Sequence, residues 1–189
     1  MRSRLKFPYF ITMLLFFLVL IIGPLLLNSR MASATKEINV GYNQDQFIKN
    51  LAPEVKPLAE HYGIRPSILI GQILLETDNG RTLLAAKYHN LFSKEADLGQ
   101  PGIRLKDSLK SGQVVRYAVY KDRESSIRDY LSMLSQGQQI DKRLYRSLAT
   151  EKGYKAPAQS LQDYRYSEEA TYAKRLIKVI EEKDLTSYD

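Results

Sequence analysis

The chain has 189 residues, 44% hydrophobic and 26% charged, with 10 glycines and 7 prolines, the balance of a packed globular protein and not of a disordered or fibrous one. Its formal charge of +7 falls to +3 when Arg2, Arg4, Lys6 and Arg30, all beside an apolar amino-terminal run, are set aside, leaving 24 Lys and Arg against 21 Asp and Glu. The remaining charges are interspersed in sign, which discounts nucleic acid as a partner and suits an anionic wall polymer or an acidic membrane surface.

Cysteine is absent, so disulfide frameworks, thiolate nucleophiles and Cys-ligated zinc are excluded. His61 and His89 are the only histidines; neither lies in a His-Glu-x-x-His pattern or beside a nucleophile, and no metal or organic cofactor is implied.

From Phe10 to Leu27 the chain reads FITMLLFFLVLIIGPLLL, an uncharged run of 18 residues. That length just suffices to cross a ~30 Å hydrocarbon core as a helix. Arg2, Arg4 and Lys6 precede it and stay cytoplasmic by the positive-inside rule, which exports everything after Leu27. Ala32-Ser33-Ala34 resembles a signal-peptidase site, but the run exceeds the ~7 to 15 residues of a signal-peptide core and Arg30 intervenes. Retention as a single-pass anchor in the cell membrane is the favoured reading, with cleavage and secretion as the alternative. The chain thus divides into a basic cytoplasmic tail (1–9), an anchor (10–27), a linker (28–44) and a folded domain (45–189).

Within that domain, residues 45–62 have helical apolar spacing broken or restarted at Pro53, and Gly63 ends them. Pro66 opens the most hydrophobic helix, through Ile68, Leu69, Ile70, Ile73 and Leu74, with Glu76 at its carboxyl end. A short helix is expected over 81–87, then irregular chain over 91–109. Residues 103–105 and 114–120 read as a β-hairpin turning at Lys110-Ser111-Gly112. Helices follow at 124–136, 141–152, 156–164 and 168–183, the first capped by Asp122 or Ser125. The fold class is mainly α with a small β-hairpin between two helical halves.

Glu76 is the outstanding chemical position. A carboxylate after Ile73-Leu74-Leu75 is disfavoured in its charged form by burial, and the negative end of the helix dipole pushes the same way. A general acid at neutral pH needs that shift to keep a proton for a leaving glycosidic oxygen. The bland alternative is an amphipathic helix whose last turn emerges into water.

The stretch Ile73 to Phe92, ILLETDNGRTLLAAKYHNLF, resembles the signature of the bacterial endo-β-N-acetylglucosaminidases of glycoside hydrolase family 73. Glu76, Thr77, Gly80, Thr82, Leu84 and Ala85, then Asn90, Leu91 and Phe92, match it at fixed spacing. The likeness continues through Val119–Ser125 and closes at Tyr166 and Tyr172-Ala173, covering about 45–183. It implies a lysozyme-like fold, with Glu76 matching the catalytic acid, Asn90 and Phe92 matching cleft residues, and Tyr166 matching an aromatic near the catalytic centre. Tyr172 is expected in the core. Tyr117, Tyr120 and Tyr166 offer flat faces for sugar rings, although tyrosines at such positions are more often structural.

The departures concern the loop and the hairpin. Ser93-Lys94 follows Phe92 where the family has Gly-Ile-Lys, and the second glutamate often found before the hairpin's turn glycine falls at Ser108. Asp107 is adjacent and is the candidate second carboxylate. Without it, the substrate's N-acetyl group or a muramic-acid hydroxyl must take over, the latter as in lytic transglycosylases. The resemblance implies cleavage of β-1,4 bonds in the glycan strands of peptidoglycan, at the N-acetylglucosaminyl bond. A lytic transglycosylase or muramidase on the same fold, and a catalytically weak wall-binding or division scaffold, are the rivals. Cell-wall or divisome proteins are candidate partners.

Overall fold

A computed structural model describes residues 7–29, 31–107 and 112–189, without the side chains of 23–29. The helix α1 (Phe7–Ser29) has every described side chain, Phe7 to Ile22, exposed. Among the described residues no helix is long and apolar enough to cross a membrane, so the spanning helix expected over 10–27 is not found among them.

The next helix, α2 (Gln44–His61), begins on a reciprocal cap in which Asn43 Oδ1 accepts from Gln46 N and Gln46 Oε1 accepts from Asn43 N, each at 2.9 Å. It runs unbroken through Pro53, where the sequence predicts a break or restart, and through Pro57. The prolines stand one turn apart on the exposed face, and the residues whose carbonyls lose a donor, Lys49 and Pro53, are exposed to water. Phe47, Leu51, Val55 and Leu58 remain buried on the other side, and their packing holds the helix together.

Next comes α3 (Pro66–Thr77), entered on a proline and enclosed by α2, by α8 (Tyr172–Glu182) and by a closing 3-10 turn, Leu185–Tyr188, that the sequence pattern did not reveal. Asp189 behind that turn accepts from Ser67 N at 2.8 Å and Ser67 Oγ at 3.0 Å, satisfying α3's first turn. The short α4 (Leu83–Tyr88) is capped by Thr82, not begun at Arg81 as predicted. Asp122 caps α5 (Arg123–Gln136) through Ser125 N at 2.7 Å, and α6 (Lys142–Thr150) and α7 (Lys155–Asp163) complete the helical lobe.

Strands β1 (Gly102–Lys106) and β2 (Val114–Ala118) form the antiparallel hairpin, with Ile103 opposite Tyr117 and Leu105 opposite Val115. Residues 108–111, which hold Ser108 and the predicted turn residues Lys110 and Ser111, lie outside the described residues. Both hairpin edges are covered. On one side Ala118 N donates to Lys94 O at 3.0 Å and Ala96 N to Arg116 O at 2.8 Å. On the other, Ala34 N donates to Lys106 O and Lys106 N to Ala32 O, both at 2.9 Å, while Leu83 N reaches Lys36 O at 2.8 Å. Residues 32–38, read from the sequence as linker, are therefore docked, and Ala34 joins Leu84, Leu105, Val115 and Tyr117 in a small core beneath the hairpin. The main core lies among α2, α3 and α5 to α8. The molecule is mainly helical with a small two-stranded sheet.

Candidate active site

The acid's position follows from how α3 meets α8. A Cβ on Gly71 would stand 2.7 Å from Leu176 Cδ1 and 3.2 Å from Ile180 Cγ1, so only glycine lets the two helices approach this closely. They run antiparallel, which carries Tyr172, the first residue of α8, to the far end of α3, where its Oη donates to Glu76 Oε1 at 3.2 Å.

The turn beyond Glu76 is fixed by the motif residues around it. Thr77 Oγ1 donates to Ile73 O at 2.5 Å and accepts from Gly80 N at 2.8 Å, tying the helix end to the turn. Asp78, Asn79 and Gly80 are all left-handed, and a Cβ on Gly80 would meet the Phe47 ring at 2.5 Å. Thr82 Oγ1 then accepts from Ala85 N at 3.3 Å to start α4. The Glu-Thr-x-x-Gly-x-Thr spacing is thus a device for ending one helix, turning tightly and starting another, with the glutamate held at the corner.

Burial pushes Glu76 from the ordinary carboxylate range up to about 7; hydroxyls of Tyr172 and Tyr166 and the Arg175 guanidinium oppose the rise, and Glu169 adds to it. The rise lets its carboxyl keep a proton at a pH where an ordinary glutamate has lost it. A file of rings leads to it from the hairpin side. Phe92 stacks on Tyr130 at 3.8 Å, Tyr130 meets Tyr166 edge-on at 6.0 Å, and Tyr166 lies 5.4 Å from Tyr172.

Of the residues singled out in the sequence, Glu76 and Tyr166 come together, with Tyr166 half-buried beside the acid. Phe92 is buried and stacks on Tyr130, whose ring meets Tyr166. Asn90 is enclosed beneath the loop: its Nδ2 donates to Lys94 O at 2.8 Å and Ala118 O at 3.0 Å, and its Oδ1 accepts from Lys94 N at 3.0 Å. Both amide protons are used, so Asn90 ties the loop to β2. Tyr117 is buried under the hairpin, where burial and the Asp107 carboxylate raise its hydroxyl. Asp107 itself is 7% exposed. Tyr120 is buried too, its Oη donating to Asp129 Oδ2 at 2.6 Å beside the Lys94 ammonium, 3.3 Å from the same oxygen. Neither tyrosine offers an open face to a sugar ring.

Pattern reading missed Tyr130, Tyr172's hydrogen bond, Glu169, Arg175 and Gln72. Gln72 left a signal: it is the one amide in an otherwise apolar stretch, one turn before Glu76 on the same helix face. Among the described residues no cluster of three His, Asp or Glu side chains is placed to hold a metal ion.

Comparison with known proteins identifies the family and the fold. The family described as mannosyl-glycoprotein endo-beta-N-acetylglucosaminidase matches residues 52–185. The exo-glucosaminidase LytG of Bacillus subtilis is 29% identical over 186 aligned residues, covering 93% of this chain and 65% of the relative, so this chain spans about two thirds of that protein's length. The catalytic domain of the autolysin Auto from Listeria monocytogenes superposes with a TM-score of 0.69 at 28% identity, over 80% of this chain and 91% of that one. A peptidoglycan hydrolase from Sphingomonas sp. A1 shares the fold at a TM-score of 0.62 and 23% identity, over 76% and 92% of the two chains.

Proposed function

This chain belongs to the mannosyl-glycoprotein endo-beta-N-acetylglucosaminidase family, and from that premise we propose that it hydrolyses β-1,4 glycosidic bonds in the glycan strands of peptidoglycan, at the N-acetylglucosaminyl bond, with Glu76 as general acid. One observation carries the reading: a carboxyl at the end of a buried helix, hydrogen-bonded by Tyr172 and held near pH 7. In the reaction Glu76 passes its proton to the leaving sugar's oxygen as the C1–O bond breaks, and the proton is regained from the water that completes hydrolysis.

The second group divides the reading. Asp107 is engaged by Tyr117 within the hairpin, which favours attack by the substrate's own N-acetyl oxygen over activation of water by Asp107. Neighbouring attack gives net retention at C1, and a water activated by Asp107 gives inversion.

The proposal extends to location. The uncharged run 10–27 behind Arg2, Arg4 and Lys6 supports a single-pass anchor with the domain outside the cytoplasm, among wall and division proteins. Docking of Ala32 and Ala34 on Lys106 supports retention over cleavage, because cutting after Ala34 removes both residues from the hairpin's edge. Protease protection in intact cells tests the orientation: a protected 1–9 tail and an accessible domain are expected.

For the activity, the full chain and its Glu76→Gln variant are incubated with purified peptidoglycan and the fragments identified by mass spectrometry. Reducing N-acetylglucosamine ends made only by the wild type are expected. Anhydro-muramic ends would move the assignment to a transglycosylase, and equal silence from both proteins on several wall types would favour the scaffold.

A further inference from the structure

Gln72 is fully buried one turn before Glu76, and its Nε2 donates to Tyr130 Oη at 2.9 Å. Among the described residues its buried Oε1 has no hydrogen-bond partner. A buried amide carbonyl left unmatched is disfavoured, and the arrangement persists only where the amide's other end is needed. That end faces a cluster of hydroxyls, since the amide acts on Tyr172 as well as on Tyr130, and Tyr166 shares a hydrogen bond with Tyr130. An N–H group placed there occupies a hydroxyl lone pair and cannot accept a proton, so it dictates which way the hydroxyl protons point.

We propose that Gln72 is a positioning residue for the acid: its amide, aimed nitrogen-first at Tyr130 and Tyr172, turns the Tyr172 proton onto Glu76 and so sets how tightly Glu76 holds its own proton. The proposal rests on the reading of Glu76 as the acid. The groups facing Glu76 are Tyr172 and Arg175 of α8, Tyr166 and Glu169 of the turn before it, and Tyr130 of α5. On α2, Glu54 is engaged by Arg123, and Asp189 of the closing segment sits with Arg65 and Ser67 at the opposite end of α3. Donation from Tyr172 stabilises the carboxylate, so disorienting that hydroxyl lets burial raise Glu76 further.

The test titrates the Glu76 carboxyl directly by carbon NMR in the full chain and, in parallel, records kcat/KM against pH on peptidoglycan. The variants are Gln72→Leu, which removes both polar atoms at similar volume, and Tyr130→Phe, which keeps the stack on Phe92 and deletes the hydroxyl that receives the amide; Tyr172→Phe is the reference. An upward move of the Glu76 midpoint by about half a pH unit or more in either variant, with no further move on adding Gln72→Leu to Tyr172→Phe, is expected. The alkaline limb of kcat/KM should move with it. An unmoved midpoint in folded Tyr130→Phe and Gln72→Leu, with only the melting temperature lowered, overturns the proposal and leaves Gln72 a packing residue. Because the NMR midpoint needs no turnover, failure of the hydrolase reading is seen separately, as a shifted midpoint without cleavage in any protein.

Discussion

The helical lobe and the hairpin lobe each bring a carboxylate together with tyrosines, and they treat them in opposite ways. In the helical lobe Glu76 is half-buried between α3 and α8 and raised to about 7, with Tyr172 and Tyr166 beside it and a spare amide carbonyl on Gln72. Under the hairpin Asp107 and Tyr117 satisfy one another, and at the seam Asp129 of α5 does the same for Tyr120 and Lys94. A polar group spent on its neighbour stabilises the fold; one kept in the wrong charge state for water is available for chemistry, and stability is what it gives up.

That contrast is broken most severely at Glu76. Replacement by Gln keeps the shape and removes the proton, so hydrolysis should fall by about 10²- to 10⁴-fold, measured as reducing-end release. Stability should move the other way, and the sign follows from linkage. A carboxyl raised to about 7 in the folded protein binds its proton more tightly there than in the unfolded chain. Wild type therefore loses stability as pH rises from about 4.5 through about 7, the two ends of the shift. Glu76→Gln should melt higher than wild type at pH 8, with the gap closing below pH 4.5; a lower melting temperature at pH 8 would mean that the carboxylate is welcome where it sits.

Gly71→Val attacks the same lobe through packing. A side chain there must push Leu176 away, lowering stability by about 1–3 kcal/mol and parting Tyr172 from Glu76, with activity falling more than thermal unfolding alone explains. Asp107→Asn sharpens the other side of the comparison: it should cost on the order of 1 kcal/mol of stability by denaturant titration while leaving most of kcat. Loss of activity on the scale of Glu76→Gln would instead make Asp107 the second catalytic carboxylate.

The smallest effect is at the seam. Ser93 holds φ +52° between Phe92 of the ring file and Lys94 on the edge of β2, at the place where the family pattern has glycine. The backbone keeps a glycine-like shape without glycine, so Ser93→Gly should stabilise the chain by about 1 kcal/mol, read from the denaturant midpoint, with activity unchanged.

Legibility in the sequence followed the range of the interactions. The start of α5, written in Asp122 and Ser125, could be read directly, and Glu76 stood out by ending an apolar run. The unbroken course of α2 through two prolines was not legible, because it depends on which face the tertiary packing leaves to water. Residues 32–38 look like linker because their hydrogen bonds go to Lys106 and Leu83, far along the chain. The tyrosine cluster was hidden for the same reason: Gln72 and Tyr130 are 58 residues apart, and Glu76 and Tyr172 are 96 apart. A resemblance in motif pointed at Tyr166, but only the packing of α8 on α3 explains why a tyrosine stands beside the acid.

The most direct test of the central claim, that the helical lobe makes Glu76 an acid at neutral pH, is its titration followed by carboxyl-carbon NMR in the wild-type full chain, assigned by the signal's disappearance in Glu76→Gln. A midpoint near 7 is the predicted result. A midpoint near the ordinary glutamate value of about 4.3 would contradict the account, since the carboxyl would then be ionised at neutral pH and have no proton to give.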